Sequence, residues 1–237
     1  MKHYFPALLV IVLFSLSFRT DSRIADPSVY LNDIKAELNK KWPKNRTINL
    51  VFHGHSVPAG YRKTPIVEPF GSYPLLVLKK LKQLYPYAVI NIINTSIGGE
   101  NSVSGAKRFD TDVLVHKPDV LFIDYSLNDR GVGLDKAREA WSSMIQKALD
   151  KNIKVILLTP SPDTRVNILQ PDNILEQHAN QVRSLAEEYK VGLVDSYQLF
   201  KNKVLAGDSL SKYMAFIVHP NEKGHQLIAD GIMKYFE

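Results

Sequence analysis

The 237-residue sequence contains no cysteine. That single absence removes disulfides, thiolate catalysis, cysteine-based zinc sites and a lipid-modified N-terminal cysteine. There is no dense basic run either. Thirty Lys and Arg are interspersed with 24 Asp and Glu, for a formal charge of +6. This gives solubility and mild attraction of anions, and no nucleic-acid footprint. Beyond residue 18 no apolar run is long enough for a membrane helix. Internal repeats, low-complexity tracts and linker-like stretches are also missing. What remains is 45% hydrophobic and 23% charged, enough for one sizeable core, so residues 26–237 are expected to form one globular domain.

The N-terminus reads differently. Lys2 and His3 precede an unbroken apolar stretch over 7–13 that continues through Phe14, Leu16 and Phe18. It is short for a bilayer span and has the form of a signal peptide, so residues 1–25 are assigned to a signal and short leader. Ser15-Leu16-Ser17 offers a small-x-small cleavage pattern, and the mature N-terminus is expected between Ser17 and Asp26. The competing reading is a buried N-terminal helix. The expectation is an exported protein, periplasmic or extracellular, with no stable membrane insertion once the leader is removed.

From Thr47 onward, short β-branched runs alternate with longer segments of helical period, the pattern of a parallel α/β sheet. The strands are predicted at 48–53, 89–94, 120–125, 155–159 and 192–195. Helices are predicted at 73–84, 134–151, 174–190, with Asp172 or Asn173 as its cap, and 221–236. Right-handed crossovers then give a three-layer αβα sandwich around a mostly parallel sheet of about five strands. Three strands run straight into small polar clusters: Gly54-His55-Ser56, Ser96-Ile97-Gly98-Gly99 and Ser126-Leu127-Asn128-Asp129. In a parallel sheet these share the carboxyl edge, where ligands bind.

Ser56 follows a strand and a glycine, a turn that can hold a hydroxyl above a sheet, although Pro58 breaks the full Gly-x-Ser-x-Gly elbow. A backbone amide at Gly99 and the side-chain amide of Asn128 are the donor types an oxyanion needs. Taken singly, the plainer readings are a helix cap for Ser56, a tight turn for Gly99 and a self-bonded loop for Asn128. His219 lies in His-Pro-Asn-Glu-Lys-Gly-His at the entrance of the last helix; a lone histidine there is more often a surface or capping residue.

Together these residues resemble the SGNH (GDSL-like) hydrolase family, over essentially 48–236. Its blocks correspond to Gly54-His55-Ser56, to Asn94-Thr95-Ser96-Ile97-Gly98-Gly99, to Ser126-Leu127-Asn128-Asp129 and to 219–225. The resemblance implies a flavodoxin-like fold, Ser56 as nucleophile and His219 as general base. It further implies oxyanion donors from the Ser56 and Gly99 amides and the Asn128 side chain, with neither metal nor other cofactor. Three positions depart from the family pattern. His55 replaces its Asp and Ser126 its first Gly, and neither change removes a catalytic group. Phe216 stands where the family places an Asp three residues before the histidine, and an aromatic ring cannot orient imidazole. Losing that acid costs serine hydrolases roughly 10⁴ in turnover. A backbone carbonyl on Nδ1, giving a Ser-His dyad, is the favoured replacement; Asp208 and Asp163 are the carboxylates considered for an orienting acid. The apolar neighbours Met214, Ala215, Ile217 and Val218 argue that Phe216 is core.

His53 and His55, alternate residues on an extended strand, invite a zinc reading, but no spacing recommends a third ligand among His116, His178, His219 or His225. The expected function is therefore hydrolysis of small acyl esters through an acyl-enzyme, with O-acetyl groups of carbohydrates as the candidate substrates. A noncatalytic carbohydrate-binding protein and a thioesterase or lysophospholipase are the alternatives. A fluorophosphonate probe separates the first from a hydrolase, and an ester panel of graded chain length separates the second. Neither oligomeric state nor substrate identity is legible.

Overall fold

The computed structural model describes Met1 and residues 24–237; the predicted leader falls almost wholly outside the described residues. In chain order the elements are α1 (Asn32–Leu38), β1 (Thr47–Gly54), α2 (Ser56–Ala59), α3 (Tyr73–Leu84), β2 (Val89–Asn94), α4 (Ser102–Lys107) and α5 (Phe109–Asp112). They continue as β3 (Val120–Asp124), α6 (Leu134–Leu149), β4 (Lys154–Leu158), α7 (Ile174–Tyr189), β5 (Gly192–Val194), α8 (Ser196–Leu205) and α9 (Glu222–Met233), with short 3₁₀ turns between some of them.

All five strands are parallel, in the order β2-β1-β3-β4-β5. The near-continuous apolar runs follow from this. Every residue of β3 is buried, because helices cover both faces of a parallel sheet. Alternate side chains feed two separate cores. Leu50, Phe52, Val120, Phe122 and Ile156 pack against α1, α3, α8 and α9. Val51, Leu121, Ile123, Val155 and Leu157 pack against α5, α6 and the C-terminal half of α7. The Phe52 and Phe122 rings, paired in register across β1 and β3, stack with centroids 4.3 Å apart. The result is the three-layer α/β sandwich expected from the sequence.

Of the two residues considered as the cap of α7, Asn173 fills the role, its Oδ1 accepting the Leu175 and Glu176 amides; Asn221, expected as the first residue of the last helix, caps it instead by accepting the Gly224 amide. Helices α1, α4, α5 and α8 were not predicted. The Ser102–Lys107 segment of α4 carries no apolar stripe of helical period, and its start is held instead by Asn101 Oδ1 on Ser104 N and by Asp129 Oδ1 on Ser102 N.

The sheet order decides where the site lies. β1 leads outward to β2 on one side and neighbours β3 on the other, so the chain direction switches between β1 and β3 and a crevice opens beyond their carboxyl ends. Register places Phe52 beside Asn94 and Gly54 beside Asp124. The three polar clusters therefore leave the sheet edge side by side.

Candidate active site

Gly54 ends β1 with no room for a side chain: a Cβ there would lie 2.4 Å from the Asp124 carbonyl oxygen, which accepts the next amide, that of His55. The chain turns at once into α2, with Ser56 as its first residue. His55 is fully buried and its Nδ1 accepts the Val57 amide at 3.3 Å, a capping role that an aspartate carboxylate could equally fill. Its Nε2 lies 3.3 Å from Asp124 Oδ1, and the Tyr73 hydroxyl donates to Asp124 Oδ2 at 3.0 Å. The substitution of His55 thus leaves the Ser56 turn capped, above a buried polar floor.

The loop after α2 supplies what the sequence could not reveal. Gly60 ends the helix in the left-handed region, at φ 92°, and Tyr61 N returns to the Ser56 carbonyl at 3.0 Å. Tyr61 pairs with Val67, and Arg62 N bonds Ile66 O, so the turn is closed on itself. This presents the Arg62 carbonyl to His219 Nδ1 at 2.7 Å. On the other side of the ring, His219 Nε2 lies 3.0 Å from Ser56 Oγ. A carbonyl only accepts, so Nδ1 carries the proton and Nε2 is the free base facing the serine hydroxyl. The His219 loop is itself tied: its carbonyl accepts the Ala215 and Phe216 amides, and Met214 bridges Pro220. Burial, first of all, holds the His219 imidazole below its usual range. The Arg62 carbonyl works in the opposite direction, and nearby His55 adds to the depression.

Neither carboxylate considered for orienting His219 is there. Asp208 accepts from Lys212 and from the Tyr213 hydroxyl. Asp163 is buried under two arginines, bonded by Arg130 and by both the backbone and the guanidinium of Arg165. Asp208 is taken up within its own segment and Asp163 by Arg165 and the more distant Arg130, which explains why neither reaches the imidazole. The expectation for Phe216 is corrected as well: the residue is 38% exposed, with its ring 6.4 Å from that of His219. Apolar neighbours in sequence did not make it core, because the closed 214–220 loop turns its side chain outward.

The donor residues also gather. The backbone amides of Ser56 and Gly99 have no hydrogen-bond partner among the described residues. Gly99 adopts φ 79°, a conformation glycine takes at no steric cost. Asn128 Nδ2 donates one hydrogen to the Glu100 carbonyl at 2.8 Å, which leaves its second hydrogen available. The following Asp129 fastens this loop to its surroundings by accepting from Ser102 N and from Trp141 Nε1. The arrangement can transfer a serine proton to an imidazole beside amides suited to an oxyanion.

The metal reading of His53 and His55 finds no support in their contacts. His53 Nδ1 meets Thr95 Oγ1, and its Nε2 meets the Gly105 carbonyl and the Tyr125 hydroxyl. Burial pushes His53 down to about 4, so it is neutral. No group of three or more potential ligands exists among the described residues. His225, the second histidine of the final motif, is buried and accepts the Tyr73 amide at the start of α3. Two participants escaped sequence reasoning. Arg62 contributes a backbone carbonyl, which leaves no residue-type signal. Glu100 had a weak one, an acid placed directly after the Gly98-Gly99 pair.

A model of the GDSL-like Lipase/Acylhydrolase family matches residues 52–227. The chain belongs to this family, and its reaction class is carboxylic ester hydrolysis. It is 28% identical over 207 residues to an acetylxylan esterase of Geobacillus stearothermophilus, covering 78% of this chain and 92% of that one. The crystal structure of an acetylxylan esterase from the same organism superposes with a TM-score of 0.70 at 25% identity, over 80% of this chain and 94% of the other. Solved catalytic mutants of that esterase replace a serine, a histidine and an aspartate three residues before the histidine. A shorter stretch of 81 residues is 35% identical to the uncharacterized lipoprotein YqeF of Bacillus subtilis, covering 31% of this chain and 33% of that protein.

Proposed function

We propose that the protein removes O-acetyl groups from carbohydrates, with Ser56 as nucleophile and His219 as the base of a Ser-His dyad. The observation that carries this reading is the line Ser56 Oγ, His219 Nε2, His219 Nδ1, Arg62 O, at 3.0 and 2.7 Å. Ser56 Oγ attacks the ester carbonyl carbon while Nε2 takes its proton. The tetrahedral oxyanion is held by the Ser56 and Gly99 amides and the Asn128 side chain. The intermediate collapses, the C–O bond to the sugar breaks, and the imidazolium returns the proton to the leaving alcohol. Water, deprotonated by Nε2, then attacks the acetyl-serine and releases acetate and the serine hydroxyl. The Arg62 carbonyl fixes the tautomer and orientation but supplies a dipole where relatives have a full charge.

Support for the substrate class comes from the acetylxylan esterase likeness. We further read residues 1–25 as a leader that exports one hydrolase domain, 26–237. The partial likeness to a lipoprotein is consistent with export, and no helix among the described residues is long and apolar enough to cross a membrane.

The test is acetate release from acetylated xylooligosaccharides and from esters of graded acyl length, with Ser56→Ala as the blank. Short-chain preference lost in the blank is expected. Preference for long acyl chains would favour the lysophospholipase reading. No turnover together with no fluorophosphonate labelling of folded protein would leave only a binding role. Sequencing the N-terminus of exported protein checks the leader, and a retained Met1 refutes it.

A further inference from the structure

Below the proposed oxyanion donors lies a buried polar cluster that the reaction as written does not use. The Glu100 side chain is 9% exposed. Its Oε1 accepts from Arg108 Nε at 2.8 Å, and its Oε2 accepts from Arg108 Nη2 and, at 2.8 Å, from the Tyr125 hydroxyl. Arg108 is steadied in turn by Asp112 Oδ2 at 3.1 Å, and the Tyr125 hydroxyl meets His53 Nε2 at 3.1 Å. Burial, and then the Glu100 carboxylate, raise the Tyr125 hydroxyl well above its ordinary value, which keeps it a donor.

The backbone of this same residue touches the site. Its carbonyl takes the Asn128 side-chain amide at 2.8 Å, and its amide closes the turn on Ile97 O at 3.2 Å. Immediately before it stand Gly98 and Gly99. A Cβ at Gly99 would meet nothing within 4 Å, whereas one at Gly98 would lie 2.7 Å from the Tyr61 ring, so the pair is packed on its Gly98 side and open on its Gly99 side. Glycine is conformationally permissive, so the Gly99 side takes its aim from the residue that follows. Glu100 is held at both ends: its carboxylate by a two-pronged arginine and a phenol, its carbonyl by Asn128.

We infer that Glu100 is a positioning residue, whose carboxylate, gripped by Arg108 and Tyr125, aims the Asn128 amide and the Gly99 turn at the developing oxyanion. The inference rests on the assignment of Asn128 and Gly99 as oxyanion donors. It places the cost of losing Glu100 in the transition state, since the donors themselves remain present and only their aim is lost.

The experiment is a double-variant cycle on 4-nitrophenyl acetate, measuring kcat and KM for wild type, Glu100→Ala, Glu100→Gln, Asn128→Ala and the Glu100→Ala/Asn128→Ala pair, with a melting temperature for each. Glu100→Ala is expected to lower kcat about 10- to 100-fold with KM within about twofold, and Glu100→Gln to fall between it and wild type. In the Asn128→Ala background the same change should cost clearly less than it does in wild type, because one of the two donors that Glu100 aims is gone and only the Gly99 turn remains to be misplaced. Equal losses in both backgrounds, or a Glu100→Ala kcat within about twofold of wild type, overturn the inference while leaving the oxyanion assignment standing. Full turnover in Asn128→Ala overturns that assignment and the inference with it. If Glu100→Ala melts below the assay temperature, Glu100→Gln and Arg108→Lys are carried through the same cycle.

Discussion

Asp163 is the sharpest place to separate an orienting acid from a structural one. Its side chain is 1% exposed and carries two arginine partners. Burial works to raise its carboxyl, but hydrogen bonds from Arg165, through guanidinium and backbone, and from Arg130 outweigh it and bring the group from 3.8 down to about 2. That depression is worth about 2 kcal/mol of stability at neutral pH. A folded value below the unfolded one means the contribution is present above about pH 4 and disappears as the pH falls through about 2. Asp163→Asn should therefore lose about 2 kcal/mol in urea unfolding at pH 7, with the gap to wild type narrowing as the solution is acidified below about pH 4. Turnover should stay within about twofold, because His219 Nδ1 is already taken by the Arg62 carbonyl at 2.7 Å. If Asp163 instead supplied the acid, the Asn variant would lose on the order of 10⁴ in kcat. A folded Asp163→Asn protein that loses more than about 10² in kcat refutes the carbonyl-held dyad.

Asp208→Asn, made in parallel, should leave kcat within about twofold, since Asp208 bonds only Lys212, Tyr213 and its own segment; a large loss measured on the same ester would point to the wrong loop. Asn128→Ala should reduce kcat by roughly 10² to 10³ with an unchanged melting temperature, and a loss below about threefold would make it a loop residue only. The acid limb of kcat/KM should fall below pH 6.5, because burial depresses His219 and the base works only when neutral; a limb above the usual imidazole value would contradict the described environment. Phe216→Asp should move that limb upward, since a carboxylate near the ring favours imidazolium. It should cost no more than about 2 kcal/mol, because the phenyl is already 38% exposed. An unmoved limb would mean the new carboxylate does not face the imidazole.

On the proposed dyad, a chain that lacks the family's acid still has a group to orient its imidazole. An orienting group has two tasks: to choose the tautomer of the imidazole and to offset the charge it acquires. The Arg62 carbonyl performs the first by accepting Nδ1–H, and as a neutral dipole it does less of the second.

Much of this was written in the local sequence. Continuous apolar strands signalled a sheet buried on both faces, because a parallel strand inside such a sheet, like β3, has no solvent side, whereas the edge strand β2 stays partly exposed. Asn173 and Asn221 marked helix starts, because capping is settled within three residues. Ser56, Gly99 and Asn128 drew notice as small or polar residues following strands and His219 as a histidine at a helix entrance, but singly each had a plainer reading, and it was the resemblance in order and spacing that joined them. Pairings over long separations were not legible. That Arg62 faces His219 depends on a turn closing after α2 and on a loop 157 residues further on arriving opposite it, and the bond runs through a carbonyl that every residue possesses. The outward turn of Phe216, the diversion of Asp163 to Arg130 and the grip of Arg108 on Glu100 have the same origin. A side chain's chemistry is a property of its residue type, but its partner is chosen by which segments the packed sheet and helices bring within about 3 Å, and only the tertiary structure fixes that distance.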